Sequence, residues 1–251
     1  MRGEVVRGVA GRRSEYRAIE SRLCKSAEPG VVAQSLVKHF QFDQLYVADL
    51  DAIAGAAPAW DTYEQIASSG VRLIIDAGIT DVACARKLAA YSAAGTPLTG
   101  VIAGLESVES PRLLREIVET VGQDRLIFSL DMKQGEPLTA ADAWRAMSLD
   151  EIAATAYACG ARRMILLDLA DVGVGEGVRT LQLCERMRAT VWGENHSSGV
   201  AVQLIAGGGV RGAADLARLA AAGCNAALVA SALHDGRLTP ADVRAIQGPA
   251  E

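Results

Sequence analysis

Short apolar runs alternate along the chain with longer segments whose apolar positions recur at helical spacing, and this alternation predicts parallel βαβ units. Seven runs read as strands: Leu45–Leu50, Val71–Ile75, Leu98–Ala103, Arg125–Leu130, Arg163–Asp168, Val200–Ala206 and Asn225–Ala230. Each is almost wholly apolar, as a strand covered on both faces must be. The intervening segments open with helix-start signals. Ser110-Pro111 precedes RLLREIVETV, Ser148 and Glu151 have the spacing of a capping box, and Thr239-Pro240 precedes the last helix. No linker, low-complexity tract or shift of composition divides residues 1–251, so one domain is expected.

The chain also repeats itself. Setting Gly78 against Gly209 aligns VRLIIDAGI (Val71–Ile79) with VQLIAGGGV (Val202–Val210), and nearby LYVADLDAIAG (45–55) is similar to MILLDLADVGVG (164–175). Two half-units of four βα pairs would close into an eight-stranded (βα)8 barrel; a doubly wound open sheet satisfies the same periodicity. The repeat also says where an eighth strand belongs. It sets Gly135-Glu136 against Gly3-Glu4, so the counterpart of Asp131 falls two residues before Met1. The first strand is therefore expected to be truncated, with the start of the protein upstream of Met1. The alternative is that Glu4–Val9 completes the barrel in another way. The first is preferred, because a lost barrel strand leaves unpaired edges on two neighbours.

Composition narrows the partners. With 50% hydrophobic and 22% charged residues the chain is neither disordered nor collagen-like, and a net charge of −5 gives no overall attraction to nucleic acid or an anionic membrane. No run approaches the ~18 to 20 apolar residues of a membrane span. The basic start MRGEVVRGVAGRRSEYR has no hydrophobic segment behind it, and a cytoplasmic location is expected. The cysteines (Cys24, Cys84, Cys159, Cys184, Cys224) form no C-x-x-C pair and His39, His196 and His234 share no metal-ligand spacing, so no metal is expected.

LYVADLDAIAG, the GGGV of 207–210, FSLD at 128–131, and GEVVRG at 3–8 followed by Tyr16 together resemble the HisA/HisF family of histidine-biosynthesis barrels, in the right order over almost the whole chain. The likeness is greatest to the HisA-like side, the phosphoribosylformimino aminoimidazole carboxamide ribotide isomerases. It implies a (βα)8 barrel of two half-barrels, a phosphorylated small-molecule substrate, no cofactor, and an Amadori rearrangement. In that reaction an aminoaldose opens, becomes a protonated imine and loses its C2 proton to give an aminoketose. One acid and one base are needed, and the resemblance implies aspartates at the ends of the first and fifth strands. Asp131 matches the second.

Asp131 ends an apolar strand just before Met132-Lys133-Gln134-Gly135, which places its carboxyl group at the barrel mouth, where desolvation raises a pKa toward the working range. Its partner is less evident. Asp168 ends RMILLD at a position where the resemblance more often has threonine, so this departure is a candidate second proton-transfer group; Asp171 and Asp49 are weaker ones, and each can instead cap a loop. For phosphate, Gly207-Gly208-Gly209-Val210 lets backbone N–H groups approach an anion, the helix near Ala213 turns its positive end the same way, and Ala230-Ser231 completes the cradle. The resemblance implies a second phosphate at the loops Asp76-Ala77-Gly78-Ile79 and Gly104-Leu105-Glu106-Ser107, with Gly78, Gly104 and Asp49 as substrate-binding positions. Asp76 and Glu106 oppose a dianion there. Arg12 to Arg17, with Arg7, Arg22 and Lys25, either compensate or form a solvated loop. Trp144 is expected to pack rather than to cover a ligand.

Four functions follow from these expectations. They are a histidine-pathway isomerase; a HisA-like paralogue on a one-phosphate substrate, for instance in one-carbon cofactor (methanopterin or methanofuran) biosynthesis; a non-catalytic barrel binding a phosphometabolite or a protein; and a HisF-like cyclase fed with ammonia by a glutaminase.

Overall fold

Seven parallel strands form one continuous sheet in chain order: β1 (Gln44–Ala48), β2 (Arg72–Asp76), β3 (Gly100–Gly104), β4 (Leu126–Lys133), β5 (Arg163–Asp168), β6 (Gln203–Gly207) and β7 (Ala226–Leu228). This computed structural model describes residues 1–175, 177–190 and 202–247. All seven expected strands are present, with ends moved by a few residues. Trp192, His196 and the first two positions of the expected strand Val200–Ala206 lie outside the described residues. Every sheet neighbour among these strands is parallel, with registers such as Ile75 opposite Val101 and Leu167 opposite Asp131. The sheet nearly closes into a (βα)8 barrel of the expected kind, and the doubly wound alternative is set aside.

Helices start where the polar signals put them. Ser110 accepts a hydrogen bond from Leu113 N–H at the head of Pro111–Val121, and Ser148 and Glu151 form a reciprocal capping box at the head of Leu149–Ala158. Thr239 Oγ1 accepts from Asp242 N–H at the head of Pro240–Gln247.

Successive residues of a strand point to opposite faces, so one set of alternate positions must fill the barrel. Ile74, Ile102, Ile127, Ile165 and Ile205, one from each of β2 to β6, meet in a cluster inside the sheet, with Tyr46, Leu167 and Leu228 against it. Below this layer Gln203 Oε1 accepts from Arg163 Nε at 2.8 Å, and Thr99 O accepts from Arg163 Nη1 at 2.9 Å, which closes the floor with satisfied polar groups. The outer faces pack against the helices in the main core. There Trp144 is fully buried, donates its indole N–H to Val108 O at 2.8 Å and lies against Phe128, the packing role expected of it.

The internal repeat is visible in the backbone. Gly78 and Gly209 both have positive φ, +65° and +74°, and at each a Cβ would strike backbone, 2.6 Å from Ile53 Cα and 1.9 Å from Gly177 O. Arg2-Gly3 and Gln134-Gly135 also form matching left-handed turns, with φ of 52° and 76° against 57° and 82°. After the second turn Glu136–Pro137 pairs back antiparallel on β4.

Glu4–Val9 does not complete the barrel. Val6–Arg7 pairs antiparallel with Arg17–Ala18 in a hairpin outside the sheet path. A gap therefore separates β1 from β7, and a cavity of about 1090 Å³ reaches it from the mouth. Its lining includes every residue of β1, from Gln44 to Ala48, and the run from Ala226 to Ala230, so it touches both faces of the two edge strands.

The isoleucine layer yields a direct test. Ile102 is fully buried with neighbours on both flanking strands, so Ile102→Ala is expected to lower unfolding stability by about 2–5 kcal/mol in urea denaturation without changing the slope of the transition.

Candidate active site

The barrel mouth collects its polar side chains by the same alternation. Asp76 lies two positions beyond inward-facing Ile74, Gly104 two beyond Ile102, and Asp131 four beyond Ile127. Asp131 is 7% exposed and accepts a hydrogen bond from Ser129 Oγ at 2.7 Å. Burial, and next the charge of Asp76, push its carboxyl well above the ordinary carboxylate range, against the opposing pull of the Ser129 hydrogen bond. Asp76 accepts from Gly78 N–H at 3.2 Å and from the Tyr46 hydroxyl at 3.5 Å. Burial pushes it up to about 6, with Glu106 adding to the rise. Burial, with the charges of Asp76 and Asp131, also drives the Tyr46 phenol well above its usual range, so it stays a neutral donor. Glu106 stands at the rim with Arg13 at 3.5 Å. Asp76, Glu106, Asp131, Tyr46 and Arg13 all line the cavity.

Across the mouth the lining changes character. Gly208, Gly209, Ala230 and Ser231 border the same cavity, together with Arg237 and His234. Gly208 and Gly209, both left-handed, contribute no side chains to this wall. One wall thus carries carboxyl groups and the other glycine backbone, Ser231, His234 and Arg237.

A family model described as histidine biosynthesis protein matches residues 1–239. The chain belongs to this histidine biosynthesis family. An uncharacterized protein of Methanocaldococcus jannaschii is 28% identical over 236 residues, 93% of this chain and 89% of that protein. The 1-(5-phosphoribosyl)-5-((5-phosphoribosylamino)methylideneamino)imidazole-4-carboxamide isomerase of Deinococcus radiodurans is 29% identical over 198 residues, 77% of this chain and 76% of the enzyme. An isomerase of the same name from Halobacterium salinarum is 34% identical over 148 residues, 58% of this chain and 56% of the enzyme.

Within this histidine-biosynthesis barrel the other aspartates named from the sequence serve the loops. Asp168 accepts from three backbone N–H groups, Gln134 at 3.0 Å, Gly135 at 2.8 Å and Ala170 at 2.9 Å. Its lone pairs thus clamp the turn after β4. Asp49 likewise accepts from Ala52 N–H at 3.2 Å, Ala59 N–H at 2.9 Å and the Tyr63 hydroxyl at 2.6 Å, holding the loop between two helices. Asp171 receives Arg179 N–H at 3.2 Å and the Arg179 guanidinium at 3.1 Å.

Gly78 is required by its packing on Ile53, and Gly104 faces Asp131, its missing Cβ only 3.1 Å from Oδ2. Both sit beside carboxyl groups and not beside an open anion cradle. Of the basic residues near the N-terminus, Arg13 reaches Glu106, whereas Arg7 is paired with Asp235 and Arg12 with Glu15. Near the glycine loop, Arg211 donates its backbone N–H and guanidinium to Asp215, so the start of helix Ala213–Ala221 holds its own carboxylate. Tyr46 escaped the sequence reading, and Asp76 entered it only as a charge opposing a phosphate. Their signal was the inward parity of positions 46 and 76 on apolar strands.

Among the described residues, no helix is long and apolar enough to cross a membrane, and no group of three His, Cys, Asp or Glu side chains is arranged to hold a metal ion.

The raised carboxyls have a signed consequence for stability. The folded chain holds the protons of Asp76 and Asp131 more tightly than the unfolded chain does. The stability they contribute is thus complete below the ordinary carboxylate pKa of about 3.9 and is lost as pH rises, for Asp76 through about 6. Asp76→Asn is expected to melt above wild type at pH 8, with the difference shrinking toward pH 4 in calorimetry.

Proposed function

We propose that this protein is an isomerase performing an Amadori-type aminoaldose to aminoketose rearrangement on a phosphorylated ribosyl-amine, with Asp131 as a proton-transfer group. The observation that carries the reading is Asp131 itself: a buried carboxyl at the C-terminal end of a barrel strand, facing a cavity whose far wall is the glycine loop. Family membership and the isomerase names of its relatives support the same reaction class.

The chemistry follows from what such a group can do. A protonated carboxyl gives its proton to the ring oxygen as the C1–O bond breaks and the nitrogen lone pair forms a protonated imine. A base then removes the C2 proton, whose electron pair makes a C1–C2 double bond while the imine pair returns to nitrogen. The enolamine loses its hydroxyl proton as C1 gains one, leaving a C2 ketone. No electrons leave or enter. Gly207, Gly208, Gly209, Ala230 and Ser231 hold the substrate phosphate through backbone N–H groups and the Ser231 hydroxyl, on the wall opposite the carboxyls. This wall needs no charge of its own, because main-chain donors fixed by the fold are already oriented.

A second reading is favoured by one observation. Asp76, Asp131 and Glu106 border the half of the mouth where the family resemblance puts a second phosphate, and of the nearby arginines Arg13 alone is seen on a member of this group. Like charges in a desolvated mouth repel a dianion. A paralogue acting outside histidine biosynthesis on a substrate with a single phosphate satisfies this wall better.

The deciding experiment is turnover of the two-phosphate imidazole carboxamide substrate by purified protein, with complementation of a strain lacking that isomerase. Conversion is expected, and Asp131→Asn should lower kcat by about 10²- to 10⁴-fold with the fold intact by circular dichroism. A folded wild-type protein that converts none of it and restores no growth would transfer the assignment to the one-phosphate paralogue.

A further inference from the structure

The oxygens of Asp168 are occupied by backbone donors, and the mouth holds another carboxyl, half-buried, bordering the same space. β2 and β4 are separated in the sheet by β3 alone, and at this level β3 carries Gly104. Gly104 contributes no side chain between their strands, and the space a Cβ would take there lies 3.1 Å from Asp131 Oδ2 and 4.0 Å from Glu106 Cγ. Each carboxyl is oriented by its own donors, Asp76 by Gly78 N–H and the Tyr46 hydroxyl and Asp131 by Ser129. Both line the cavity.

We propose that Asp76 is the second proton-transfer group of this site and shares one proton with Asp131 over Gly104. The assignment rests on the acid–base isomerisation argued above. A pair holding one proton presents an acid and a base at once, which is what the rearrangement requires.

The charged and titratable groups facing the pair are few. Tyr46 comes from β1, Glu106 from the turn after β3, and Arg13 from the N-terminal segment, where it pairs with Glu106. Of the charges acting on Asp131 that of Asp76 weighs most. Burial of both opposes a doubly ionised state, and the neutral Tyr46 phenol stabilises the ionised form of Asp76 by donating to it.

The proton count closes over the cycle. Asp131 delivers its proton to the ring oxygen as the C1–O bond breaks, and the Asp76 carboxylate takes the C2 proton. The roles then exchange: Asp76 returns its proton to C1, and the Asp131 carboxylate takes the hydroxyl proton of the enolamine. The pair ends as it began.

Two measurements test this. In ligand-free protein carrying 13C at its aspartate carboxyls, Asp76 and Asp131 are expected to titrate in two steps, each visible at both resonances, and Asp76→Asn should move the remaining Asp131 step to lower pH. Independent one-step titrations overturn the pair whatever the substrate. In turnover, Asp76→Asn is expected to lower kcat by about 10²- to 10⁴-fold with little change in KM and to remove one limb of the pH–rate bell, and Asp76→Glu to restore part of the rate. A folded Asp76→Asn protein that keeps kcat and both limbs overturns the assignment. Should wild type leave the two-phosphate substrate untouched, the substrate reading falls by itself, and the titration, which needs no substrate, decides the pair.

Discussion

Alternation of side chains along parallel strands governs both the stability and the chemistry of this barrel. Positions of one parity must fill an enclosed space, and in one layer they are isoleucines from five adjacent strands, Ile74, Ile102, Ile127, Ile165 and Ile205. The same parity, carried two to four residues further, delivers Asp76, Gly104 and Asp131 to the mouth. The apolar layer beneath removes water from one side of these carboxyls, and that desolvation is the largest influence on both. A mouth carboxyl and a core residue are here successive products of one geometric rule.

Carboxylates in this protein fall into two kinds, and their donors separate them. Asp49, Asp168 and Asp215 each receive three hydrogen bonds from N–H or hydroxyl groups, and each fixes a loop or a helix start. Asp131 is buried and Asp76 half-buried, and they receive fewer such hydrogen bonds. The first kind is engaged by its own loops and the second borders the cavity. Sequence position alone treats all five alike.

The two halves of the barrel repeat in backbone and differ in charge. Gly78 and Gly209 share a left-handed conformation forced by close backbone approach. Yet Asp76 stands in the repeat where Gly207 stands in the other half, and a carboxyl replaces a bare amide surface. A symmetric scaffold thereby carries carboxyl groups on one side of the mouth and glycine backbone on the other.

The sequence by itself determined the seven strands, the capped helices, the half-barrel repeat and Asp131, because burial on two faces, helix starts and glycine conformation are local and leave marks at fixed spacing. It also put Glu106 and Asp76 where a second phosphate was expected. That Asp168 and Asp49 hold loops, that Val6–Arg7 folds into a hairpin, and that Asp76 and Asp131 line one cavity came from the folded structure. These depend on which backbone donors and which neighbouring strands arrive at a side chain from elsewhere in the chain. A carboxyl group carries no mark in the sequence of how many hydrogen bonds it will receive.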